Sequence, residues 1–140
     1  MFILSKCGYP KTINLIKDLP VKYTENRIKK HRKKDGSFDI QNWKIGGMTR
    51  RHNIWLYDIG LHKTTKDKFA FEHPAVFPEK LAEDHILSWS NEGDTILDPM
   101  AGSGTTLKMA KKNNRNYVGI EISPEYIDII NKRLWKGLFK

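Results

Sequence analysis

Asp98-Pro99-Met100-Ala101-Gly102-Ser103-Gly104-Thr105-Thr106 is the stretch of this chain whose residue types and spacing lend themselves to chemistry. Gly102 and Gly104 let the backbone approach a ligand closely and take conformations closed to larger residues. A helix beginning at Thr105 and Thr106 would aim its free N–H groups and the positive end of its dipole at the same place, which can hold a phosphate or a carboxylate. No lysine directly follows the glycines, so the phosphate-loop pattern fails. Leu107 stands where a dinucleotide fingerprint has its third glycine. Asp98 would repel a pyrophosphate and attract an ammonium group. Glu121 comes 17 residues after Gly104, where a carboxylate can accept both hydroxyls of a ribose. A ligand with an α-amino acid at one end and a ribose at the other meets all of these demands, and S-adenosylmethionine is such a ligand. The plainer alternative is a turn that merely joins strand to helix, with Glu121 a surface acid.

The elements that must hold this loop can be read around it. Thr95-Ile96-Leu97-Asp98 is short and branched, as a buried parallel strand should be. A helix is expected from about Thr105 to Lys112, then a second strand over Tyr117-Val118-Gly119-Ile120-Glu121-Ile122. Ser123-Pro124-Glu125 starts a last helix, with Tyr126, Ile127, Ile130 and Leu134 along one face. Upstream, Pro78 suits the first turn of a helix carrying Leu81, Ala82, Ile86, Leu87 and Trp89, and Asn91-Glu92-Gly93-Asp94 ends it in a turn. Strand, helix, strand, helix is an α/β pattern with a parallel sheet. Two strands are too few for a doubly wound sheet, and they leave an edge open.

Residues 1–72 read instead as short strands and turns. Met1-Phe2-Ile3-Leu4 is extended in character, and Gly8 and Pro10 break it. The basic run from Arg27 to Lys34 ends at Asp35-Gly36, a favoured two-residue hairpin turn. Gly46-Gly47 marks another break, and Asn53-Ile54-Trp55-Leu56-Tyr57 has the composition of a strand.

Composition bounds what such a chain can be. At 140 residues, with four Trp, five Tyr and six Phe, it is one ordinary domain with a core. Cys7 is the one cysteine, so no intrachain disulfide or cysteine-zinc site is available, and no metal is expected. No apolar run approaches the length of a membrane span and no signal-peptide pattern opens the chain, so a soluble cytoplasmic protein is expected. The net charge of +9 lies wholly in residues 1–72, which hold 16 Lys and Arg against 7 Asp and Glu, whereas residues 73–140 hold 9 of each. A nucleic-acid partner accounts for such a surplus, and so does a solubilising surface. Lys29, Lys30, Arg32, Lys33, Lys34, Arg50 and Arg51 are the candidate contacts, with a solvated loop as the alternative.

Three blocks make the chain resemble the DNA methyltransferases that modify the exocyclic amine of adenine (N6) or cytosine (N4). His73-Pro74-Ala75-Val76-Phe77-Pro78-Glu79-Lys80-Leu81 is similar to the block preceding the cofactor loop, Asp98–Thr106 to the loop, and Gly119-Ile120-Glu121 to the ribose-binding strand. Their order resembles the permuted class with the cofactor loop near the C-terminus. The resemblance implies a partial Rossmann-like S-adenosylmethionine-dependent methyltransferase fold, an incomplete parallel sheet plus a basic strand and loop region. It divides the chain into a target-recognition-like region, 1–72, and a cofactor-binding half, 73–140. By position, Asp98 with Pro99 would face the methionine amino group. Gly102, Ser103, Gly104, Thr105 and Thr106 would line the methionine end, and Glu121 would hold the ribose. Phe77 would form part of the opposite wall, unless it is plain core, and His73 would help form that wall or only pack the loop.

The family's catalytic motif, Asp, Asn or Ser followed by Pro-Pro and an aromatic, grips the amine of a flipped-out base. No Pro-Pro pair occurs anywhere in the chain, so no catalytic residue is assigned. The resemblance therefore implies the C-terminal half of such an enzyme, acting on double-stranded DNA and inactive without an N-terminal catalytic half, with a second copy as another candidate partner. Alternatives are a non-catalytic DNA-binding remnant and a methyltransferase for another substrate.

Overall fold

The computed structural model describes residues 8–21, 26–44, 47–60 and 62–135. In chain order the elements are β1 (Lys17–Pro20), β2 (Asn26–Arg32), β3 (Phe38–Lys44), β4 (Met48–Arg50), a 3-10 turn (Lys68–Glu72), α1 (Glu79–Trp89), β5 (Thr95–Asp98), α2 (Thr105–Lys112), β6 (Asn116–Gly119) and α3 (Pro124–Trp135). They fall into two compact units, Met1–Asn14 with Leu56–Lys140, and Leu15–Trp55.

The first unit is built on β5 and β6, which pair in parallel with Thr95 opposite Asn116 and Asp98 opposite Gly119. Parallel neighbours need a crossover, and the glycine loop with α2 supplies it. Ala82 and Ile86, one helical turn apart on α1, pack against Met109 and Ala110 of α2, with Ile96 and Tyr117 beneath them. Leu107 joins Ala101 and Ile130 in an adjoining cluster that takes in Leu134. In α3, Ile130 is buried and Tyr126 and Leu134 half-buried, as expected, while Ile129 takes the buried place expected of Ile127, which is turned out. On the sheet, alternation sends Ile96 and Tyr117 to the helices and Leu97 and Val118 the other way. Leu97 is 62% exposed and Val118 50%. That sheet face is bare, and among the described residues β5 has a partner on one edge only.

The second expected strand is shorter than its sequence implies. β6 stops at Gly119 because the Glu121 carboxylate takes the N–H groups of Ile122, at 2.9 Å, and Ser123, at 3.0 Å, and bends the chain toward α3.

The second unit holds two antiparallel pairs, β1 with β4 and β2 with β3. The β2–β3 hairpin forms where the basic run predicts it, but its turn differs. Gly36 N–H donates to Lys33 O at 3.1 Å and Lys33 N–H to Ser37 O at 2.8 Å, and Gly36 alone has a positive φ, +85°. This is a type I turn closed by a left-handed glycine, one residue longer than the expected two-residue turn. Asn53-Ile54-Trp55-Leu56-Tyr57 is not a strand. The Trp55 ring N–H donates to His52 O at 2.6 Å, and among the described residues no strand pairs with this segment, so strand-type composition alone does not make one. The Met1-Phe2-Ile3-Leu4 segment lies outside the described residues.

Gly104 carries a demand that Gly36 does not. Its φ is +76° and a Cβ there would lie 2.9 Å from Ile130 Cγ1, whereas a Cβ on Gly36 meets nothing within 4 Å. Gly104→Ala is expected to cost about 2–4 kcal/mol, from left-handed strain plus core overlap, and Gly36→Ala about 1–2 kcal/mol from strain alone. Urea unfolding of the two variants checks the difference. Equal losses would mean that Ile130 yields freely.

Candidate cofactor site

The glycine loop is pinned from several sides. Ala101 N–H donates to Ile120 O at 2.9 Å, and Gly104 N–H to Ala101 O at 2.7 Å, so the loop folds back on itself beside the exit of β6. Gly102 N–H donates to Glu121 Oε2 at 2.7 Å. With Ile122 and Ser123 on Oε1, the Glu121 carboxylate accepts three backbone N–H groups. The Ser123 bond, followed by those of Gly102 and Ile122 and the nearby His73, holds its pKa below the ordinary carboxylate value. A carboxylate offers about four acceptor directions, and these three bonds leave one on Oε2 unused.

His73 stands over the loop. A Cβ on Gly102 would be 3.0 Å from His73 Nε2, and the ring lies edge-on to Tyr126 with centroids 4.3 Å apart. Its Nδ1 accepts the Ala75 N–H at 3.1 Å, which leaves the proton of the neutral ring on Nε2, toward Gly102. These residues with Phe77, Met100, Ala101 and Ser103 enclose a hollow of about 320 Å³. A larger hollow of about 650 Å³ lies on the other side of Phe77 and Met100, where Asp98 and Thr106 meet Leu81, His85, Trp89 and Leu97. Asp98 Oδ1 accepts the Met100 N–H at 3.2 Å, and Pro99 is exposed beside it. The expected residues thus gather around one loop but face two spaces that share Phe77 and Met100, with Glu121 and Gly102 in one and Asp98 and Thr106 in the other.

Thr105 lines neither hollow, and although Ser103 borders the smaller one its hydroxyl is turned, with that of Thr105, toward Arg133. Their hydroxyls and the Ser103 carbonyl surround the guanidinium of Arg133, which sequence reasoning missed. Arg133 Nη1 donates to Ser103 O at 2.9 Å, Ser103 Oγ at 3.1 Å and Thr105 Oγ1 at 2.9 Å. Its Nε donates to Asp67 Oδ2 at 3.2 Å, and Nη2 to Glu79 Oε1 at 2.7 Å. Lys108 Nζ reaches the same two carboxylates, each at 2.7 Å, and the Thr65 hydroxyl donates to Glu79. The Arg133 side chain is 0% exposed, so two cations and two anions neutralise each other under the loop. Burial alone would raise Asp67 and Glu79, but the bonds and charges of Lys108, with Arg133, more than offset it, and both pKa values fall. The available signal was position: Arg133 lies three and four residues beyond Ile130 and Ile129, on the buried stripe of α3.

In the second unit, Lys29, Lys30, Arg32, Lys33 and Lys34 are exposed together along the hairpin and its tip, and Arg50 is exposed at the end of β4. Arg51 is engaged: it pairs with Asp18 and lies over the Trp55 ring, 5.1 Å from its centroid. Among the described residues there is no cluster of His, Cys, Asp or Glu fit for a metal ion, and no helix long and apolar enough to cross a membrane.

The family model described as DNA methylase, of the N6/N4 type, matches residues 1–132. The chain belongs to this family. An orphan methyltransferase of Bacillus amyloliquefaciens, M.BamHII, is 55% identical over 139 residues, which is 96% of this chain and 52% of that protein. The type II methyltransferase M.Cfr9I of Citrobacter freundii is 42% identical over 89 residues, 64% of this chain and 27% of its own length. The chain therefore spans about half the length of the first relative and less of the second. Among solved structures, the complex of M1.HpyAVI with S-adenosylmethionine is 39% identical across 54% of this chain and 34% of that one, with a TM-score of 0.46. This family's cofactor is S-adenosylmethionine.

Arg133→Met would leave two buried carboxylates with Lys108 as their one remaining cation. A loss of about 3–5 kcal/mol is expected, with Arg133→Lys intermediate because three donors replace five. The depressed carboxylates stabilise the native form above the ordinary carboxylate range, and that stabilisation is lost as pH falls through their lowered values, below about pH 4. Thermal unfolding of both variants between pH 3 and 7 checks this. An Arg133→Met protein as stable as the parent at neutral pH would remove the network from the account.

Proposed function

We propose that this methylase-family chain is the S-adenosylmethionine-binding part of an enzyme that methylates an exocyclic amine of adenine or cytosine in duplex DNA. The observation that carries the reading is the convergence on one loop of unlike groups that suit one ligand. The start of α2, with no side-chain cap, offers N–H groups to a carboxylate. Asp98 suits an ammonium group, the open direction of Glu121 Oε2 suits a ribose hydroxyl, and Phe77 with Met100 offers apolar surface between them. When bound, the cofactor supplies an activated methyl group. This chain's residues bind and orient it, and the base-gripping motif is not among them.

The need for a further segment is supported by three facts. The sequence has no Pro-Pro pair. Leu97 and Val118 on one face of the parallel sheet are exposed, and among the described residues β5 has a free edge. The chain matches 52% of its relative M.BamHII. A catalytic segment, on a longer chain or a separate one, would cover that face and present the target amine, and methylation would depend on it. A second reading, a DNA-binding remnant without catalysis, is favoured by the charge of the Leu15–Trp55 unit, where eleven Lys and Arg face four Asp and Glu.

The test is transfer of labelled methyl to duplex DNA. The chain alone is expected to transfer none, and its mixture with the remaining half of the Bacillus amyloliquefaciens relative is expected to label adenine N6 or cytosine N4. Methylation by the chain alone would overturn the dependence on a second segment. A mixture that co-purifies yet never labels DNA would favour the remnant, whose DNA affinity falls with salt and ignores the cofactor.

A further inference from the structure

The β2–β3 ribbon sorts its side chains onto two faces, because residues in antiparallel register share a face and successive residues alternate. Lys30 is opposite Ile40 and Arg32 opposite Phe38, with Ile28 on the same face two residues before Lys30. Lys29 opposite Gln41 and His31 opposite Asp39 make the other face. The two are not equivalent. The second carries the Asp39 carboxylate, half-buried and accepting from Gln41 Nε2 at 3.4 Å. The first has no acid among these five residues, and its Ile28, Phe38 and Ile40 are 61%, 57% and 59% exposed. At the tip, the Asp35 carboxylate is occupied by the Ser37 N–H at 2.9 Å and hydroxyl at 2.6 Å, while Lys33 and Lys34 are exposed.

A solubilising ribbon would not need three large apolar groups on its acid-free face. We propose that this face enters the major groove of duplex DNA, with Ile28, Phe38 and Ile40 against base edges and thymine methyls and Lys30 and Arg32 reaching phosphates or base acceptors. The proposal rests on the DNA reading above and specifies which surface does the reading. Charge complementarity chooses the partner, since the Leu15–Trp55 unit holds a surplus of seven positive charges out of the chain's nine. Width chooses the groove. Two strands about 4.8 Å apart, with their side chains, fit a groove about 12 Å wide and not one about 6 Å wide. Lys33 and Lys34 at the tip contribute attraction without sequence information, and the apolar face contributes the discrimination.

The experiment uses the full chain and duplexes followed by fluorescence anisotropy. One duplex carries glucosylated hydroxymethylcytosine, which fills the major groove, one has uracil for thymine, and one is pre-bound by the minor-groove ligand netropsin. Glucosylation is expected to weaken binding about tenfold or more, and netropsin to leave it unchanged. Phe38→Ala with Ile40→Ala should abolish the preference for thymine over uracil without altering the salt dependence. Lys33→Ala with Lys34→Ala should lower the slope of log K against log salt by about 1.8 and keep that preference. All four positions are exposed, so folding is not at stake. Displacement by netropsin, indifference to glucosylation, or unchanged discrimination in the Phe38 and Ile40 variant would overturn the proposal. The last result would assign the face to a protein partner instead. Failure to bind any duplex would sink the DNA reading itself, a different and recognisable outcome.

Discussion

The placement of the glycine loop depends on one buried guanidinium. Arg133 of α3 donates to the loop through Ser103 and Thr105, to α1 through Glu79, and to the segment before the 3-10 turn through Asp67. Five N–H groups meet acceptors in fixed directions, so the guanidinium sets the spacing of three chain segments at once. Such a network is weak as a source of net stability, since apolar residues of the same volume often do as well. Its value here is geometric. A loop with two left-handed glycines, Gly102 and Gly104, has many conformations open to it, and fastening its inner side to an ion cluster restricts them.

The two sides of the loop then do different work. Inward, Ser103 and Thr105 spend their hydroxyls on Arg133. Outward, Gly102 presents backbone to His73 and Glu121, and Thr106 faces the larger hollow with Asp98. The alternation follows from the helix start: once Thr105 is committed to the core, Thr106 one residue later is carried to another side of α2. Glu121 links the loop to the turn before α3 by accepting N–H groups from both. Substituting it therefore disturbs loop geometry as well as any ligand contact, which makes Glu121→Gln more informative than Glu121→Ala.

Much of this was legible in the sequence. The spacing from Asp98 to Thr106 and on to Glu121 located the loop, β5 and α2 at their observed bounds, because short-range turn chemistry and helix starts are local properties. The ion cluster was not legible. Asp67 lies 66 residues before Arg133 and Glu79 lies 54 before it, and a charged residue near a helix end reads as surface until the fold buries it. The segment Asn53–Tyr57 failed for the converse reason, since strand composition needs a neighbouring strand to pair with. The open edge of β5 among the described residues was foreshadowed by counting: two parallel strands do not close a sheet of this type.

The measurement that bears most directly on the account is calorimetric titration of the purified chain with S-adenosylmethionine, its folding confirmed by circular dichroism. Saturable binding at one site is expected, weakened by Glu121→Gln and by Asp98→Ala in variants that remain folded. A folded chain that takes up no S-adenosylmethionine, or binds it equally well with both carboxylates altered, would contradict the assignment of this loop as a cofactor site.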